Sequence, residues 1–146
     1  MQACALSRLN QGEISMSTTI EQRNLEIVNK FCADWSKLSS PVMLPYFTAD
    51  AVYHNMPGSP LVGQKAIGDF LAPLWPALDS LVFEMLNIAA NGHVVFTERM
   101  DRFRFKNGGK LELPVNGIFE LTADGKISQW REYWDMATWT KQGGPV

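Results

Sequence analysis

The stretch VVFTERMDRFRF, residues 94–105, has the two-residue alternation of a β-strand. Because successive strand side chains point to opposite faces, its residues divide into two sets. One set is apolar at both ends and contains Val95, Thr97, Arg99, Asp101, Phe103 and Phe105. We expect this face to pack against the interior, so that Arg99 and Asp101 point inward together. The opposite face includes Glu98, Arg102 and Arg104, and we expect it to be solvated or to form an interface.

The same alternation continues along the chain around this strand. It predicts four successive strands, at residues 81–90, 93–106, 110–122 and 126–135. Their joints are Asn91-Gly92, Asn107-Gly108-Gly109 and Asp124-Gly125, which are typical of hairpin turns. The second half of the chain is therefore predicted to be an antiparallel meander.

The residues before the meander have helical periodicity with one extended segment. The apolar stripe of a first helix, which ends near Leu38, consists of Ile20, Leu25, Val28, Phe31, Cys32 and Trp35. Ser40-Pro41 begins a short second helix, and residues 66–74 predict a third that Pro73 and Pro76 distort or end. Between them, DAVYHNMP (50–57) is predicted as a strand and GSPLVG (58–63) as a loop. Helices segregated from antiparallel strands indicate an α+β fold, with helices on one face of a curved sheet enclosing a pocket.

The amino terminus carries a capping-box pattern, Thr18-x-x-Glu21, which predicts that the first helix begins there. Residues 1–17 are therefore interpreted as an N-terminal extension that could be flexible. Residues 18–146 are interpreted as a single domain, a size that one hydrophobic core can support.

Composition argues against several classes of protein. A net charge of -2 does not favour a nucleic-acid backbone or an anionic membrane surface, and no apolar run approaches the roughly 20 residues of a membrane helix. Cys4 and Cys32 form no disulfide framework, which favours a reduced, cytoplasmic protein. His54 and His93 are not spaced as metal ligands, so no metal site is predicted.

Two other strands also direct polar groups inward. In the strand at 50–57, Tyr53 and Asn55 share a face. In the last strand, Glu132 lies on the same face as Trp130 and Trp134. A carboxylate is costly to bury without a partner, and Arg99 is the candidate partner. The expectation is an interior cluster of Tyr53, Asn55, Arg99, Asp101 and Glu132.

Such a cluster has two interpretations. One guanidinium can bridge two carboxylates, and their repulsion and desolvation then favour one neutral acid beside one ionised base, which is equipment for general acid–base catalysis. Alternatively, Arg99 and Asp101 form a structural buried ion pair, the commoner role of such pairs. A one-residue slip in register would also turn Glu132 outward.

Three motifs give the chain a resemblance to a known family. YHNMP at 53–57, TERMD at 97–101 and WREYWD at 130–135 resemble the limonene-1,2-epoxide hydrolase family. That family belongs to the cone-shaped α+β folds shared with nuclear transport factor 2, ketosteroid isomerase and the SnoaL-like polyketide cyclases. The resemblance implies a curved mixed sheet with three to four helices, and a homodimer. It also implies hydrolysis of an epoxide without a covalent intermediate.

The resemblance also implies roles for the five polar residues. Tyr53 and Asn55 would position the water, Asp101 would be the acid, Arg99 the bridge and Glu132 the base. The family's base is usually an aspartate in WRDYF, whereas this chain has WREYW. Glutamate reaches one methylene further, so either the cavity has adjusted, for example through Trp134, or epoxide hydrolysis is weak or replaced. Our hypothesis is that Glu132 still acts as the base.

The expected substrate follows from the apolar residues of the inner faces. Those expected to bind it are Leu74, Leu78, Phe103, Leu113, Val115, Trp130 and Trp134. Arg99 is the sole cation expected there, which favours a small cyclic or terpene-like epoxide over an anionic substrate, without metal or cofactor. Two alternatives stay open: a SnoaL-like cyclase or isomerase acting on a carbonyl compound, and a non-enzymatic ligand-binding module.

Overall fold

The structure is a computed structural model that describes the backbone of residues 11–145 and the side chains of residues 19–145. Its α-helices are α1 (Gln11–Asp34), α2 (Ser40–Met43), α3 (Gln64–Leu71) and α4 (Met136–Lys141). Its strands are β1 (Phe47–Asn55), β2 (Leu61–Val62), β3 (Leu78–Asn91), β4 (Val94–Phe105), β5 (Lys110–Leu121) and β6 (Ile127–Trp134). Short 3₁₀ turns occupy Trp35–Lys37, Leu44–Tyr46 and Trp75–Ala77. No described helix is long and apolar enough to cross a membrane.

The six strands form one mixed sheet in the order β2-β1-β6-β5-β4-β3. β3 to β6 pair antiparallel with their chain neighbours, as the hairpin turns predict, and β1 pairs parallel with β6. Register shifts interrupt the β1–β6 and β3–β4 pairings, and such bulges bend a sheet. The α+β fold with a curved, unclosed sheet is therefore confirmed, and the four-strand meander with it.

The core lies between α1 and the inner face of the sheet. Most of the predicted stripe packs there: Val28, Phe31 and Cys32 of α1 and Trp35 of the following 3₁₀ turn are buried, and Leu25 is partly buried. Ile20, predicted to belong to the stripe, is exposed. The ring of Phe31 is at the centre, with edge-on contacts to Trp35, Tyr46, Phe47, Phe119 and Trp130. Edge-on pairs of aromatic rings stabilise a core by more than their buried area alone accounts for. α1 thereby fixes the distance between the helices and the strands that carry the polar cluster.

The start of the first helix was predicted wrongly. α1 begins at Gln11, so Thr18 lies inside the helix and the capping-box prediction fails. No proline interrupts residues 11–17, and the helix continues through them. The Glu21 carboxylate instead accepts a hydrogen bond of 2.8 Å from the backbone N–H of Gly92, in the turn between β3 and β4. Of the predicted extension, residues 1–10 lie outside the described residues.

Two further elements were not predicted. The segment 58–63, predicted as a loop, contains strand β2, which pairs antiparallel with β1 through Leu61 and Val62. After β6, the Asp135 carboxylate accepts a hydrogen bond from the backbone N–H of Thr138 and caps α4. Both elements are shorter than the period-based tests can detect, because a pattern needs several repeats before it differs from chance.

Candidate active site

The guanidinium of Arg99 binds two buried carboxyl groups. Its Nε and Nη2 donate to Asp101 Oδ1 and Oδ2, both at 3.0 Å, and Nη2 also donates to Glu132 Oε2 at 2.7 Å. All three residues are buried, with 1% exposure for Arg99, 4% for Asp101 and 3% for Glu132. Arg99 and Asp101 share a face of β4 because they are two residues apart, and Glu132 reaches them from β6, across β5.

Neighbouring groups fix the orientation of the guanidinium. Arg99 Nη1 donates to Thr97 Oγ1 at 3.1 Å, and Cζ of Arg99 lies 4.4 Å from the centre of the Phe83 ring. The Trp35 ring stacks on Phe83, with 4.8 Å between the ring centroids. Thr97, Phe83 and Trp35 therefore belong to the site, although the sequence analysis assigned them no role. The strand alternation places Thr97 on the same inward face as Arg99 and Asp101, and this was the signal that could have assigned it to the site.

Gly117 is a further site residue that the sequence analysis missed. It is paired with Thr97 across β4 and β5. A methyl group at this position would come within 2.6 Å of Arg99 Nη1 and 2.8 Å of Thr97 Oγ1. The backbone of β5 can therefore lie against the guanidinium because residue 117 has no side chain.

The parallel pairing of β1 with β6 brings Tyr53 and Asn55 to the same face as Glu132. Tyr53 is in register with Trp130, and Asn55 with Glu132. The Tyr53 ring stacks on Trp130 at 4.1 Å with an angle of 13° between planes. Asn55 Oδ1 accepts a hydrogen bond of 2.7 Å from Trp134 Nε1. Of the five predicted residues, Arg99, Asp101 and Glu132 are joined directly. Tyr53 instead stacks on Trp130, and Asn55 is hydrogen-bonded to Trp134.

The second oxygen of Glu132 differs from the other carboxyl oxygens. Oε1 is buried and has no hydrogen-bond partner among the described residues. The nearby Nε1 of Trp130 lowers the pKa of Glu132 but is not placed to make a well-formed hydrogen bond. Glu132 Oε1 is therefore an acceptor that remains available inside the site, whereas both oxygens of Asp101 accept from Arg99.

Burial dominates the ionisation of these groups. It raises the pKa of Glu132 to about 7, with Asp101 adding to the increase and Arg99 opposing it. Burial also raises the pKa of Asp101, and Arg99 again opposes the change. For Tyr53, burial holds the pKa of the hydroxyl well above its usual range, so this group stays neutral. Two carboxylates and one guanidinium carry a net negative charge, and a dry environment favours the uptake of one proton.

The residues expected to bind substrate divide into two groups. Leu78, Leu113, Val115 and Trp130 are buried core residues, as is Phe103 at 9% exposure. Leu74 and Trp134 are partly buried and pack against that core. Trp139 of α4 completes the aromatic wall, with its ring 5.4 Å from Phe103 and 5.7 Å from Trp134.

Metal ligands are not grouped in the part of the chain that the structure describes. No set of three or more His, Cys, Asp or Glu side chains there could hold a metal ion. The thiol of Cys32 is free and buried, and burial raises its pKa to about 12, against the influence of Arg99. Cys32 therefore reaches the cluster from α1 as a neutral group.

Solved structures similar to this one share the fold at low identity. An LEH-like epoxide hydrolase from M. tuberculosis matches with a TM-score of 0.74 and 24% identity, over 84% of this chain and 90% of that one. The epoxide hydrolase/cyclase-like enzyme SalBIII matches with a TM-score of 0.72 and 20% identity, over 80% and 94%. An NTF2-like protein of unknown function from Burkholderia pseudomallei matches with a TM-score of 0.73 and 12% identity, over 82% and 96%.

The sequence itself matches a family model. The limonene-1,2-epoxide hydrolase catalytic domain matches residues 23–143, which contain α1 from its fourth turn onward, all six strands and the whole Arg99 cluster. The match therefore covers both the elements that build the fold and the residues that build the site. The chain belongs to the limonene-1,2-epoxide hydrolase family.

Proposed function

We propose that the protein is an epoxide hydrolase that adds water to a small apolar epoxide and gives a vicinal diol. The observation that carries this proposal is the geometry of Glu132. One oxygen, Oε2, is held by Arg99, and the other, Oε1, is a buried acceptor with no partner among the described residues. A general base needs a lone pair that no protein donor occupies, because it must accept a hydrogen bond from the water whose proton it takes.

The proposed reaction uses one proton shared by Asp101 and Glu132. In the reactive form Glu132 is ionised and Asp101 carries the proton. Glu132 Oε1 takes a proton from water while the water oxygen forms a bond to an epoxide carbon. The carbon–oxygen bond of the ring breaks, and Asp101 gives its proton to the departing oxygen. One oxygen of the diol comes from water and the other from the epoxide, so the reaction balances without a covalent intermediate.

The Arg99 bridge allows one carboxyl group to act as the acid while the other acts as the base. Arg99 Nη2 donates to both Asp101 Oδ2 and Glu132 Oε2, so the two carboxyl groups meet at one nitrogen. After each turnover the proton on Glu132 must return to Asp101, and this contact keeps the path short. A pKa of about 7 for Glu132 leaves a substantial ionised fraction at neutral pH. The longer glutamate side chain still reaches Arg99, at 2.7 Å.

The aromatic and aliphatic wall supports an apolar substrate. Leu113 and Val115 are paired with Asp101 and Arg99, and Trp134 is paired with Val115. The Trp139 ring lies against Phe103 and Trp134. Arg99 is engaged by its three acceptors Asp101, Glu132 and Thr97, so its charge is already balanced. We therefore propose no anionic substrate. The free thiol of Cys32 supports a reducing, cytoplasmic location.

The test is diol formation in H₂¹⁸O from a panel of racemic cyclic and terpene-like epoxides. We expect one labelled oxygen in the diol and none in the protein after a single turnover. Glu132→Gln and Asp101→Asn should each remove turnover while the fold is retained by circular dichroism. Glu120→Gln is the matched control, because Glu120 pairs with Arg131 away from the cluster. Diol formation that persists in Glu132→Gln would overturn the assignment of the base.

A second candidate is cyclisation, in which a hydroxyl of the substrate replaces water. It uses the same acid and base, and SalBIII, described as epoxide hydrolase/cyclase-like, shares the fold. A hydroxy-epoxide substrate separates the two reactions, because hydrolysis gives a triol and cyclisation gives a cyclic ether. A protein inert toward every epoxide, whose Asp101→Asn variant has lost stability, would instead be a binding module with a structural Arg99 network.

A further inference from the structure

We propose that Trp134 is a positioning residue for the reaction: its indole N–H orients the side-chain amide of Asn55 so that the amide NH₂ group is presented to the water beside Glu132. This inference rests on the proposed function. The sequence pattern predicts only that Trp134 contacts the substrate through its ring. In the structure, the indole N–H of Trp134 also donates a hydrogen bond to Asn55.

The contact joins two distant parts of the chain. Trp134 Nε1 donates to Asn55 Oδ1 at 2.7 Å, and both groups are partly buried. The parallel pairing of β1 with β6 puts Asn55 in register with Glu132, and Trp134 follows Glu132 by two residues on the same face. The side chain of Asn55 therefore lies beside the carboxyl group that acts as the base, with Trp134 further along the strands.

The chemistry of the two side chains allows one arrangement of this bond. An indole nitrogen can donate but cannot accept, and the amide of asparagine has one acceptor atom, Oδ1. Trp134 therefore holds Oδ1 and leaves Nδ2 as the free donor of the amide, on a residue in register with Glu132. The described residues provide no hydrogen-bond acceptor for Nδ2. A phenylalanine at residue 134 could not select this orientation, since the two edges of an amide have nearly the same shape.

This orientation suits the water that Glu132 deprotonates. Such a water directs one hydrogen to Glu132 Oε1 and one lone pair to the epoxide carbon. Its second lone pair needs a donor, which Asn55 Nδ2 supplies, and its second hydrogen can be accepted by the hydroxyl of Tyr53. With the amide reversed, Asn55 would offer a second acceptor and would compete with Glu132 for the hydrogens of the water. Trp134 thus acts through Asn55 on the direction of the proton transfer.

The kinetic test compares two tryptophan variants. Trp134→Phe keeps an aromatic ring and removes the N–H group, and we expect kcat to fall roughly tenfold with KM changed less than twofold. Trp75→Phe is the matched control, because Trp75 Nε1 also makes a partly buried side-chain hydrogen bond of 2.7 Å, to Ser40 Oγ, away from Asn55. We expect the control to retain the wild-type kcat. Equal kcat values for Trp134→Phe and wild type, in an enzyme that does form diol, would overturn the inference.

A second measurement does not depend on activity. In ¹H–¹⁵N spectra the indole signal of Trp134, assigned by its loss in Trp134→Phe, should shift upfield in Asn55→Ala, while the Trp75 signal stays in place. An unmoved Trp134 signal would show that the bond is absent and would overturn the inference. If the signal moves but wild type forms no diol from any epoxide, the proposed function fails and the positioning of Asn55 stands without it.

Discussion

At the scale of single residues, the site depends on one guanidinium that is shared by two acids. Removing one partner of a buried ion pair leaves an uncompensated charge, which typically costs about 3–5 kcal/mol of stability. In this cluster the unbalanced charge is negative, because one Arg99 guanidinium pairs with the carboxylates of both Asp101 and Glu132. Binding one proton neutralises that excess negative charge. The same arrangement that makes the cluster tolerable in a dry interior therefore makes it an acid and a base.

The ionisation of Glu132 predicts how stability depends on pH. Its pKa is about 7 in the folded protein and 4.5 for an ordinary glutamate, so the folded state binds the proton more tightly. Its contribution is fully present below about pH 4.5 and is lost as the pH rises through 7. We expect the free energy of unfolding, measured with urea, to be lower at pH 8 than at pH 5 by up to about 3 kcal/mol.

The control for this prediction is Glu132→Gln, which has the same shape and no titratable proton. Its free energy of unfolding should change much less between pH 5 and pH 8. The carboxyl of Asp34, whose pKa is held well below its usual range by Lys30 and Tyr46, affects only more acidic conditions. Parallel pH dependences in wild type and variant would contradict the assignment of the raised pKa to Glu132.

At the scale of elements, the cluster lies on β4 and β6, with β5 between these strands and β1 beside β6. β4 carries Arg99 and Asp101, β6 carries Glu132, and β5 runs between them with Gly117 against the guanidinium. β1 adds Asn55 through its parallel pairing with β6. The central position of β5 means that the cluster spans it and that any side chain at residue 117 would enter the space of Arg99.

The close approach of β5 gives the second prediction. Gly117→Ala places a methyl group within 2.6 Å of Arg99 Nη1, so the guanidinium must move and its bonds to Asp101 and Glu132 are distorted. We expect a loss of stability of about 1–3 kcal/mol and at least a tenfold loss of kcat. Thermal unfolding and steady-state kinetics measure the two effects.

The neighbouring residue is the control for this variant. Asn116→Ala changes the adjacent position of β5, whose side chain is exposed on the opposite face. It should alter stability by less than about 0.5 kcal/mol and leave kcat unchanged. If Gly117→Ala behaved like Asn116→Ala, the guanidinium would not depend on the contact with β5.

At the scale of the whole molecule, the outer face of the sheet presents apolar groups to solvent. Val82 and Leu86 of β3, Phe96 of β4 and Tyr133 of β6 are all between 40% and 49% exposed. The helices cover the inner face, whereas no described helix covers the outer one at these residues. Exposed apolar groups on one surface are typical of an interface, and we propose that two copies of the chain pair through this face.

Oligomeric state tests that proposal directly. Light scattering after gel filtration should give twice the 16.4 kDa mass of the chain. Phe96→Glu should give the monomer mass, because a charge placed on both sides of a symmetric interface repels itself. Ile20→Glu makes the same kind of change at a residue of α1 with similar exposure, 42%, and should remain dimeric. A monomeric wild type would exclude the dimer.

Alternation along the chain is enough to predict the direction of each side chain within its strand. Alternation placed Arg99 and Asp101 on one inward face, placed Glu132 between two tryptophans on another, and located the hairpins that order β3 to β6. The sequence was informative there because strand geometry is local: each residue's face depends only on its position relative to its neighbours. The apolar stripe of α1 was predictable for the same reason.

Which of these side chains contact one another depends on the packing of the whole chain. The parallel pairing of β1 with β6, the bond from Trp134 to Asn55 across 79 positions, and the contact of Gly117 with Arg99 join residues from separate elements. No periodicity encodes such contacts, since they depend on how distant segments pack and not on the direction of a side chain along its own strand. The role of Glu21 in binding Gly92 was missed for that reason as well.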